Sequence, residues 1–348
     1  LPRERFSGGR VYVQDEAGLA HAIDLLAGSP VLAIDTEFMR ERTYYARLCL
    51  VQIASATDVV VIDALPFGGS LPALGRLLGD PASMKVFHAG SQDVEILIRA
   101  TGVAPAPLFD TQVAATVAGF PTQVGYAQLV HDLLGVRVDK ADTFTDWAKR
   151  PLTDAQLSYA EADVSHLPRV HELLRDRLAA EGRLAWLAED FERLADPASY
   201  EADPREQFRR VKRASSLDAR SLAVLREVAA WREVEAQGRD IPKRWLLSDE
   251  SLIEIARRKP ADASALGAIR GVSERVANRA AGLLAAVRVG AAVSDDDLPR
   301  LPRRRRTPAD AAPIADVLSG VMRVRAREHG VAATLLATRD ELERFAAG

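Results

Sequence analysis

Short apolar runs rich in β-branched residues crowd the first part of the chain, and they constrain the fold more than any other feature. They are VLAID at 31–35, ARLCLVQI at 46–53, DVVVID at 58–63 and MKVFH at 84–88. Runs of this length and composition predict β-strands. Only Ala54–Thr57 separates the second run from the third, which is too short for a crossover helix, so these two strands should form an antiparallel hairpin.

Helical patterns separate the later runs. They lie at 91–101, 111–118 and 125–134. Strands that alternate with helices predict an α/β fold with a mixed sheet.

Long helical patterns dominate from about residue 153 onwards. Thr153 and Gln156 have the spacing of a capping box, which predicts a helix start there. Pro168 should kink or restart this helix, because proline lacks the amide hydrogen that a helix interior needs.

Two all-helical stretches follow. The first, at about 214–290, carries Trp231 and Trp245, which are expected to anchor its core. The second, at about 313–348, is one more pair of helices and is too short to be stable alone. The chain is therefore expected to be multidomain.

Composition narrows the class of protein. The 46 basic and 49 acidic residues give a formal charge of -3, so bulk charge neither demands nor excludes a polyanionic partner. The single cysteine, Cys49, can form neither an internal disulfide nor a cysteine-rich zinc site. No apolar stretch approaches the ~20 residues of a membrane-spanning helix, and no signal-peptide pattern is present. We expect a soluble, cytoplasmic, monomeric protein.

Asp35 and Glu37 stand at the end of the first predicted strand. Side chains two residues apart in extended backbone point to the same side, so the two carboxylates can converge on one point. Carboxylate oxygens are the ligands that Mg²⁺ and Mn²⁺ prefer, and without a cation the like charges raise one another's pKa. Taken alone, the spacing is more typical of acids in the turn after a strand.

Asp93 follows the fourth predicted strand in the segment HAGSQD. Ser91 is the candidate N-cap of the helix that begins there. The helix dipole favours an acid in a first turn whatever its function, so Asp93 alone is compatible with a structural role as well as a catalytic one.

Tyr159 and Asp163 are one turn apart on the helix that begins at Thr153, so their side chains share a face. A phenol beside a carboxylate can help to bind a metal, although such a pair is more often simply exposed. Two metal ions about 4 Å apart need several carboxylates from different elements. The acids that meet this need are Asp35, Glu37, Asp93 and Asp163.

The series DTEF, HAGSQD and YAEAD resembles, in order and approximate spacing, the three exonuclease motifs of the DEDDy class. Four acids and one tyrosine form the site in that class. MRERTYYARLCLVQIA after the first motif, FDTQVAA at 109–115 and DKADTFTDWAKRPLTDAQLSYAEADV at 139–164 resemble the ribonuclease D family in particular. The stretch at 214–290 is similar to the HRDC domain, and 313–348 resembles part of a second, more divergent copy.

This resemblance implies an α/β exonuclease domain of the RNase H-like fold, followed by all-α HRDC domains. The implied boundaries are 1–190 for the exonuclease domain, 191–213 for a basic linker, 214–292 for the HRDC domain, 293–312 for a Pro/Arg-rich linker and 313–348 for the partial second copy.

The resemblance also implies a role for each site residue. Asp35 would bridge two divalent metal ions, Mg²⁺ or Mn²⁺. Glu37 and Asp163 would complete the first metal site, and Asp93 would support the second. Tyr159 would orient the attacking water. The product would be a nucleoside 5′-monophosphate.

Other residues are candidates to contact the substrate. Phe38 and Met39 directly follow the acids and are placed to wedge against a terminal base, although such residues more often pack in a core. His88 is a further candidate, although a lone histidine at a strand end is more often structural. The basic segments Arg205–Arg213 and Arg303–Arg306 either track a phosphate backbone or form solvated tethers.

RNA with a single-stranded 3′ end is the substrate that the resemblance implies, with tRNA precursors and small stable RNAs as examples. The three motifs do not decide RNA against DNA, so a DNA exonuclease of the same class is an alternative. A non-catalytic RNA-binding scaffold would be expected if one of the site positions were lost, and none is. The sequence contains no P-loop, so we do not expect ATP use. We also expect no nicotinamide, flavin or membrane partner.

Overall fold

The fold comes from a computed structural model, which describes residues 10–138, 145–272, 276, 280–301, 308 and 311–347. These residues form two compact units. The first contains the chain up to Met39, then Leu48–Tyr200 and the C-terminal helices. The second contains Arg40–Arg47 and the described residues between Glu201 and the C-terminal helices. No helix within the described ranges is long and apolar enough to span a membrane.

A mixed β-sheet forms the centre of the first unit. Its strands in the described chain are β1 (Val11–Val13), β2 (Val31–Met39), β3 (Arg47–Ala54), β4 (Val59–Asp63), β5 (Met84–Phe87) and β6 (Leu108–Asp110). Their order across the sheet is β1-β4-β3-β2-β5-β6. Strands β3 and β4 are antiparallel, whereas β1 and β4, β2 and β5, and β5 and β6 pair in parallel. The predicted mixed sheet and hairpin are confirmed, and β1 and β6 add three-residue strands that are too short to show a periodic pattern.

Helices surround this sheet and form the second unit. Those of the first unit are α1 (Glu16–Leu26), α2 (Gly75–Leu78), α3 (Ser91–Thr101), α4 (Thr111–Val117), α5 (Tyr126–Leu134), α6 (Asp154–Ser165), α7 (Leu167–Ala180) and α8 (Ala188–Ala195). Those of the second unit are α9 (Ala219–Gly238), α10 (Lys243–Leu246), α11 (Asp249–Arg258), α12 (Ala263–Gly267) and α13 (Ala280–Ala291). The C-terminal helices are α14 (Ala311–Glu328), α15 (Ala333–Leu336) and α16 (Arg339–Ala346).

Strands β3 and β4 are buried on both faces, which explains why their sequences are unbroken apolar runs and not alternating ones. Cys49 lies within β3 as a free, buried thiol, as expected. Helix α7 supplies much of the core with Leu167, Val170 and Leu174, which cluster with apolar residues of the sheet.

Helix α6 begins and ends where the sequence indicates. The Gln156 amide donates to Thr153 Oγ1 at 3.2 Å, and the Thr153 amide donates to Gln156 Oε1 at 2.9 Å, so the capping box is formed. Helix α6 ends at Ser165, and α7 restarts with Pro168 in its first turn, where a missing amide hydrogen costs nothing.

The second unit is built around α9, whose apolar face packs against α11 and α13. Trp231 packs against this core while remaining partly exposed. The expected core role of Trp245 is wrong, because its side chain is 55% exposed. Helix α10 has only four residues, and Leu246, the residue after Trp245, is the one that is buried.

Residues 40–47 belong to the second unit although they follow β2 directly. The Tyr44 hydroxyl donates to Glu233 Oε1 at 2.5 Å, and Asp240 Oδ1 accepts from the amides of Tyr44 and Tyr45 at 3.0 Å. These bonds fix the segment to the end of α9.

The predicted domain boundaries stay predictions. The interval predicted as a basic linker, 191–213, includes the end of α8 and short 3₁₀ helices at Pro197–Tyr200 and Pro204–Arg210. Helices of 20, 4 and 10 residues in α9–α11 are followed later by helices of 18, 4 and 8 residues in α14–α16, which supports the proposed second copy. Arg303–Arg306 and residues 139–144 lie outside the described residues.

The Thr153 cap generates a stability prediction. Thr153→Ala should lower the free energy of unfolding by about 1 kcal/mol, because it removes the acceptor for the Gln156 amide. Thr153→Ser keeps that acceptor and should lose much less. Urea unfolding followed by circular dichroism measures both, and equal losses for the two variants would contradict the capping role.

Candidate active site

The sequence suggested that Asp35 and Glu37 stand at the end of a strand. Strand β2 runs to Met39, so both acids lie inside the strand instead. The described pairing of β2 with β5 covers Val31–Ala33. Asp35 and Glu37 therefore lie on the part of β2 that follows the residues paired with β5. Both are partly buried, which suits side chains that line a concave site.

Asp163 reaches the same place from α6. Carboxylate oxygens of Asp35, Glu37 and Asp163 all lie within 4.8 Å of one another. The hydroxyl of Tyr126 donates to the carbonyl oxygen of Ala162 at 2.8 Å, which fixes α6 beside Asp163. The structure thus brings together three of the four predicted metal ligands.

Burial and mutual repulsion strongly disfavour the charged forms of these acids. Burial, and then the charges of Asp163 and Asp93, raise the pKa of Glu37 to about 8. Burial also raises the pKa of Asp163 to about 7. For Asp35, burial and the charge of Asp93 raise the pKa well above its ordinary value.

Asp93, the fourth predicted ligand, stands outside the group of three found among the described residues. Asp93 is 8% exposed, and its Oδ1 accepts a hydrogen bond from Thr36 Oγ1. Thr36 lies on β2 between Asp35 and Glu37. Ser91 is not the N-cap of α3, because Gly90 occupies that position and Ser91 is the first helical residue. Asp93 therefore lies in the first turn, where the helix dipole favours a carboxylate.

The turn before Asp93 is held by Asp110, a residue of the FDTQVAA segment whose role has no signal in the sequence. Asp110 Oδ2 accepts from the Gly90 amide at 2.8 Å, and Oδ1 accepts from the Ala89 amide at 3.2 Å. The same carboxylate caps α4 through the Gln112 amide at 2.8 Å. Ala89 has a positive φ of 57°, and a side chain at Gly90 would collide with that of Phe87, so this turn depends on those bonds and on glycine.

Tyr159 lies on α6 one turn before Asp163, so the two side chains share a face of the helix. Burial and the charge of Asp163 raise the pKa of Tyr159 above its ordinary value, so the phenol keeps its proton at neutral pH. The ring of Trp147 lies 6.0 Å from that of Tyr159, centroid to centroid. Arg150 donates to the Trp147 carbonyl at 2.7 Å and pairs with the buried Asp63 at 2.5 Å, so this ion pair supports the aromatic contact.

The candidate substrate contacts differ in their surroundings. Phe38 and Met39 are partly buried at the end of β2, and Met39 packs against the cluster that contains Trp147. Both ring nitrogens of His88 are engaged, one 2.9 Å from Thr111 Oγ1 and the other 3.0 Å from the Val124 carbonyl oxygen. These bonds favour the structural role for His88, and its contact with substrate stays a prediction.

The chemistry of the donor set fits a divalent cation of the Mg²⁺ or Mn²⁺ type. The three convergent side chains offer oxygen atoms alone, which hard cations prefer. Their raised pKa values show that the ionised carboxylates are unfavourable at this site unless a cation offsets their negative charge.

Comparisons with known proteins agree with this geometry. Residues 10–179 match the 3′–5′ exonuclease domain family, and residues 221–287 match the HRDC domain family. The chain is 47% identical to ribonuclease D of Granulibacter bethesdensis, over 99% of this chain and 87% of that protein. It is 46% identical to ribonuclease D of Gluconacetobacter diazotrophicus, over 97% of this chain and 86% of that protein. The crystal structure of Escherichia coli RNase D superimposes with a TM-score of 0.80 at 29% identity, covering 97% of this chain and 90% of the other.

Fold, site and comparisons together define a nuclease of the 3′–5′ exonuclease class that carries an HRDC domain. More narrowly, the chain belongs to the ribonuclease D family.

The raised pKa values generate a prediction about pH. Folded Glu37 and Asp163 hold protons that the unfolded chain releases, so the metal-free protein should lose stability as pH rises from about 4 to about 8. Glu37→Gln should make this fall shallower, because glutamine does not ionise. Urea unfolding in EDTA across this range measures the slope. The same slope for Glu37→Gln and the parent protein would show that the acid contributes nothing to the pH dependence.

Proposed function

We propose that the protein is a metal-dependent 3′→5′ exoribonuclease that releases nucleoside 5′-monophosphates from RNA 3′ ends. One observation carries the proposal: Asp35, Glu37 and Asp163 place carboxylate oxygens within 4.8 Å of one another. Tyr159 lies one helical turn before Asp163 on the same face of α6. A partly buried set of acids beside a phenol supports phosphodiester hydrolysis better than a binding role alone, because the cost of gathering these charges is offset only when cations bind.

Asp35, Glu37 and Asp163 would hold divalent ions, with Asp93 supporting a second ion from its position beside Thr36. When bound, two such ions supply Lewis-acid activation of water and stabilise negative charge on the leaving 3′ oxygen. The protein's own contribution is to fix the carboxylates on a strand and two helices, so that little reorganisation is needed during the reaction.

Tyr159 acts as a hydrogen-bond donor and not as a base. Its pKa is raised, so it stays protonated, and its ring is positioned by packing against Trp147. A phenol held in this way orients the attacking water through a hydrogen bond.

RNA is favoured as the substrate by family membership. Relatives over nearly the full length are named ribonuclease D, and the E. coli protein is described as an exoribonuclease involved in structured RNA processing. We propose tRNA precursors and other small stable RNAs with single-stranded 3′ ends as natural substrates. Monomeric state and cytoplasmic location stay predictions.

Cleavage of labelled oligonucleotides tests this function. With Mg²⁺ or Mn²⁺, 5′-labelled RNA should give a ladder shortened from its 3′ end, and EDTA or Asp35→Asn should abolish it. Tyr159→Phe should slow the reaction on the order of 10²-fold, because it removes one oriented donor. A parallel DNA oligonucleotide reports sugar selectivity. Full RNA cleavage by Asp35→Asn, or faster cleavage of DNA than of RNA, would contradict the proposal.

Asp110 provides a second test, directed at the position of Asp93. In Asp110→Asn, the side-chain oxygen can still cap α4, but the amide nitrogen would face the Gly90 amide and lose that bond. The Mg²⁺ concentration for half-maximal activity should rise roughly tenfold or more, as for other residues that support metal ligands. Asp262→Asn is the matched control, since Asp262 caps α12 through the Ala265 amide. Equal metal dependence in both variants would show that Asp110 does not act through Asp93.

A further inference from the structure

A cavity of about 460 Å³ lies within the first unit, away from the carboxylate group. One wall is the turn that follows α4, at Gly119–Thr122, and another is α14 with the start of α15. Arg177 of α7 also lines it. The volume falls within the ~300–1,000 Å³ range of small-molecule and cofactor sites, so the cavity can admit a nucleotide-sized group.

The charges that face this cavity are all positive. Arg177, Arg323 and Arg327 line it, and none of its described lining residues is acidic. Arg323 and Arg327 are four residues apart on α14, so their guanidinium groups project from the same face. The hydroxyl groups of Thr122 and Thr334, which hydrogen-bond to one another, add polar atoms at the rim.

Two of these arginines differ from their neighbours in having no acidic partner. Arg325 pairs with Glu328 at 2.9 Å, and Arg344 pairs with Asp340 at 3.3 Å. Within the described part of the chain, the side chains of Arg323 and Arg327 form neither an ion pair nor a hydrogen bond. Arg177 is shared between Glu181, at 3.2 Å, and the ring of Phe120, 5.6 Å from its guanidinium carbon. Two uncompensated cations therefore face one concave surface.

The cavity walls are fixed by backbone contacts. A Cβ at Gly119 would lie 2.7 Å from the Gly330 carbonyl oxygen, so the two segments approach as closely as glycine allows. Arg183 donates to the carbonyl oxygens of His329 at 2.5 Å and Gly330 at 2.9 Å. The buried residues Ala326 and Val331 form an apolar part of the lining. A site fixed in advance loses less conformational entropy when a ligand binds.

Two of the five basic residues in the predicted cluster at 205–213 already have an acidic partner. Arg205 pairs with Glu227 at 2.6 Å, and Arg209 pairs with Glu206. Both would have to give up an acidic partner in order to bind a phosphate, whereas Arg323 and Arg327 would not.

We propose that this cavity, defined by Arg177, Arg323 and Arg327, binds phosphodiester groups of the RNA substrate at a distance from the cleaved bond. Guanidinium groups match phosphate oxygens in charge and in hydrogen-bond geometry. The choice of RNA as the source of these phosphates rests on the proposed function. A free mononucleotide offers related chemistry and is distinguished by the experiment.

Fluorescence anisotropy of the full chain in EDTA measures this binding without cleavage. The probes are a 5′-labelled RNA oligonucleotide and a labelled nucleoside 5′-monophosphate, each titrated over a series of salt concentrations. The test variant is Arg323→Gln with Arg327→Gln. The matched control is Arg325→Gln on α14 with Arg344→Gln on α16, which removes the same charge at positions that do not line the cavity.

The test variant should flatten the plot of log K against log salt by roughly 1.4, because two phosphate contacts are lost. At 0.1 M salt this corresponds to RNA binding weaker by roughly ten- to thirtyfold, and the control should stay within about twofold of the parent. An unchanged affinity and slope in the test variant would overturn the proposal. An equal loss in the control, or a loss confined to the mononucleotide, would also overturn it. Failure of the proposed function would appear separately, as absence of RNA shortening when Mg²⁺ is added to the parent protein.

Discussion

Repulsion between buried carboxylates is the constraint on which the catalytic half of the molecule depends. Two full charges at 4.8 Å, the upper limit of the separations between the oxygens of Asp35, Glu37 and Asp163, repel by about 3.5 kcal/mol at an effective dielectric of about 20. The scaffold has to hold these groups together before any cation arrives. The raised pKa values of Glu37 and Asp163 are the visible result, because the metal-free site retains protons that exposed acids would lose.

Packed secondary-structure elements hold the carboxylates together against this repulsion, and each element is fixed by an identifiable interaction. Asp35 and Glu37 stand on a continuous strand, Asp163 on a helix begun by the Thr153 cap, and Asp93 on a helix whose preceding turn is held by Asp110. The buried pair of Asp63 and Arg150 supports Trp147, which packs against Tyr159. Local sequence features thus act on catalysis through position, since a site built on packed elements is more precise than one built on loops.

Sequence patterns predicted much of this arrangement because they report local physics. Long apolar runs identified four strands, and the Thr153 and Gln156 pair located the start of α6. Three-residue strands are too short to show a pattern, and the exposure of Trp245 depends on the direction in which a four-residue helix faces. The partners of Thr36 and Asp110 are distant in the chain, at Asp93 and Gly90, so no spacing rule could reveal them. Convergence of Asp35 and Glu37 was predicted from their spacing, and that of the full set of acids rested on resemblance, whereas the geometry and electrostatics of the group required the structure.

Binding of Mn²⁺ measured by isothermal titration calorimetry tests the central claim most directly, because it reports on the carboxylate group without requiring any substrate. We expect saturable binding of two ions per chain near pH 7, accompanied by proton release from acids whose pKa values are raised, and loss of this binding in Asp35→Asn. Equal Mn²⁺ stoichiometry and proton release in the parent protein and in Asp35→Asn would contradict the claim that these buried acids are gathered to hold metal ions.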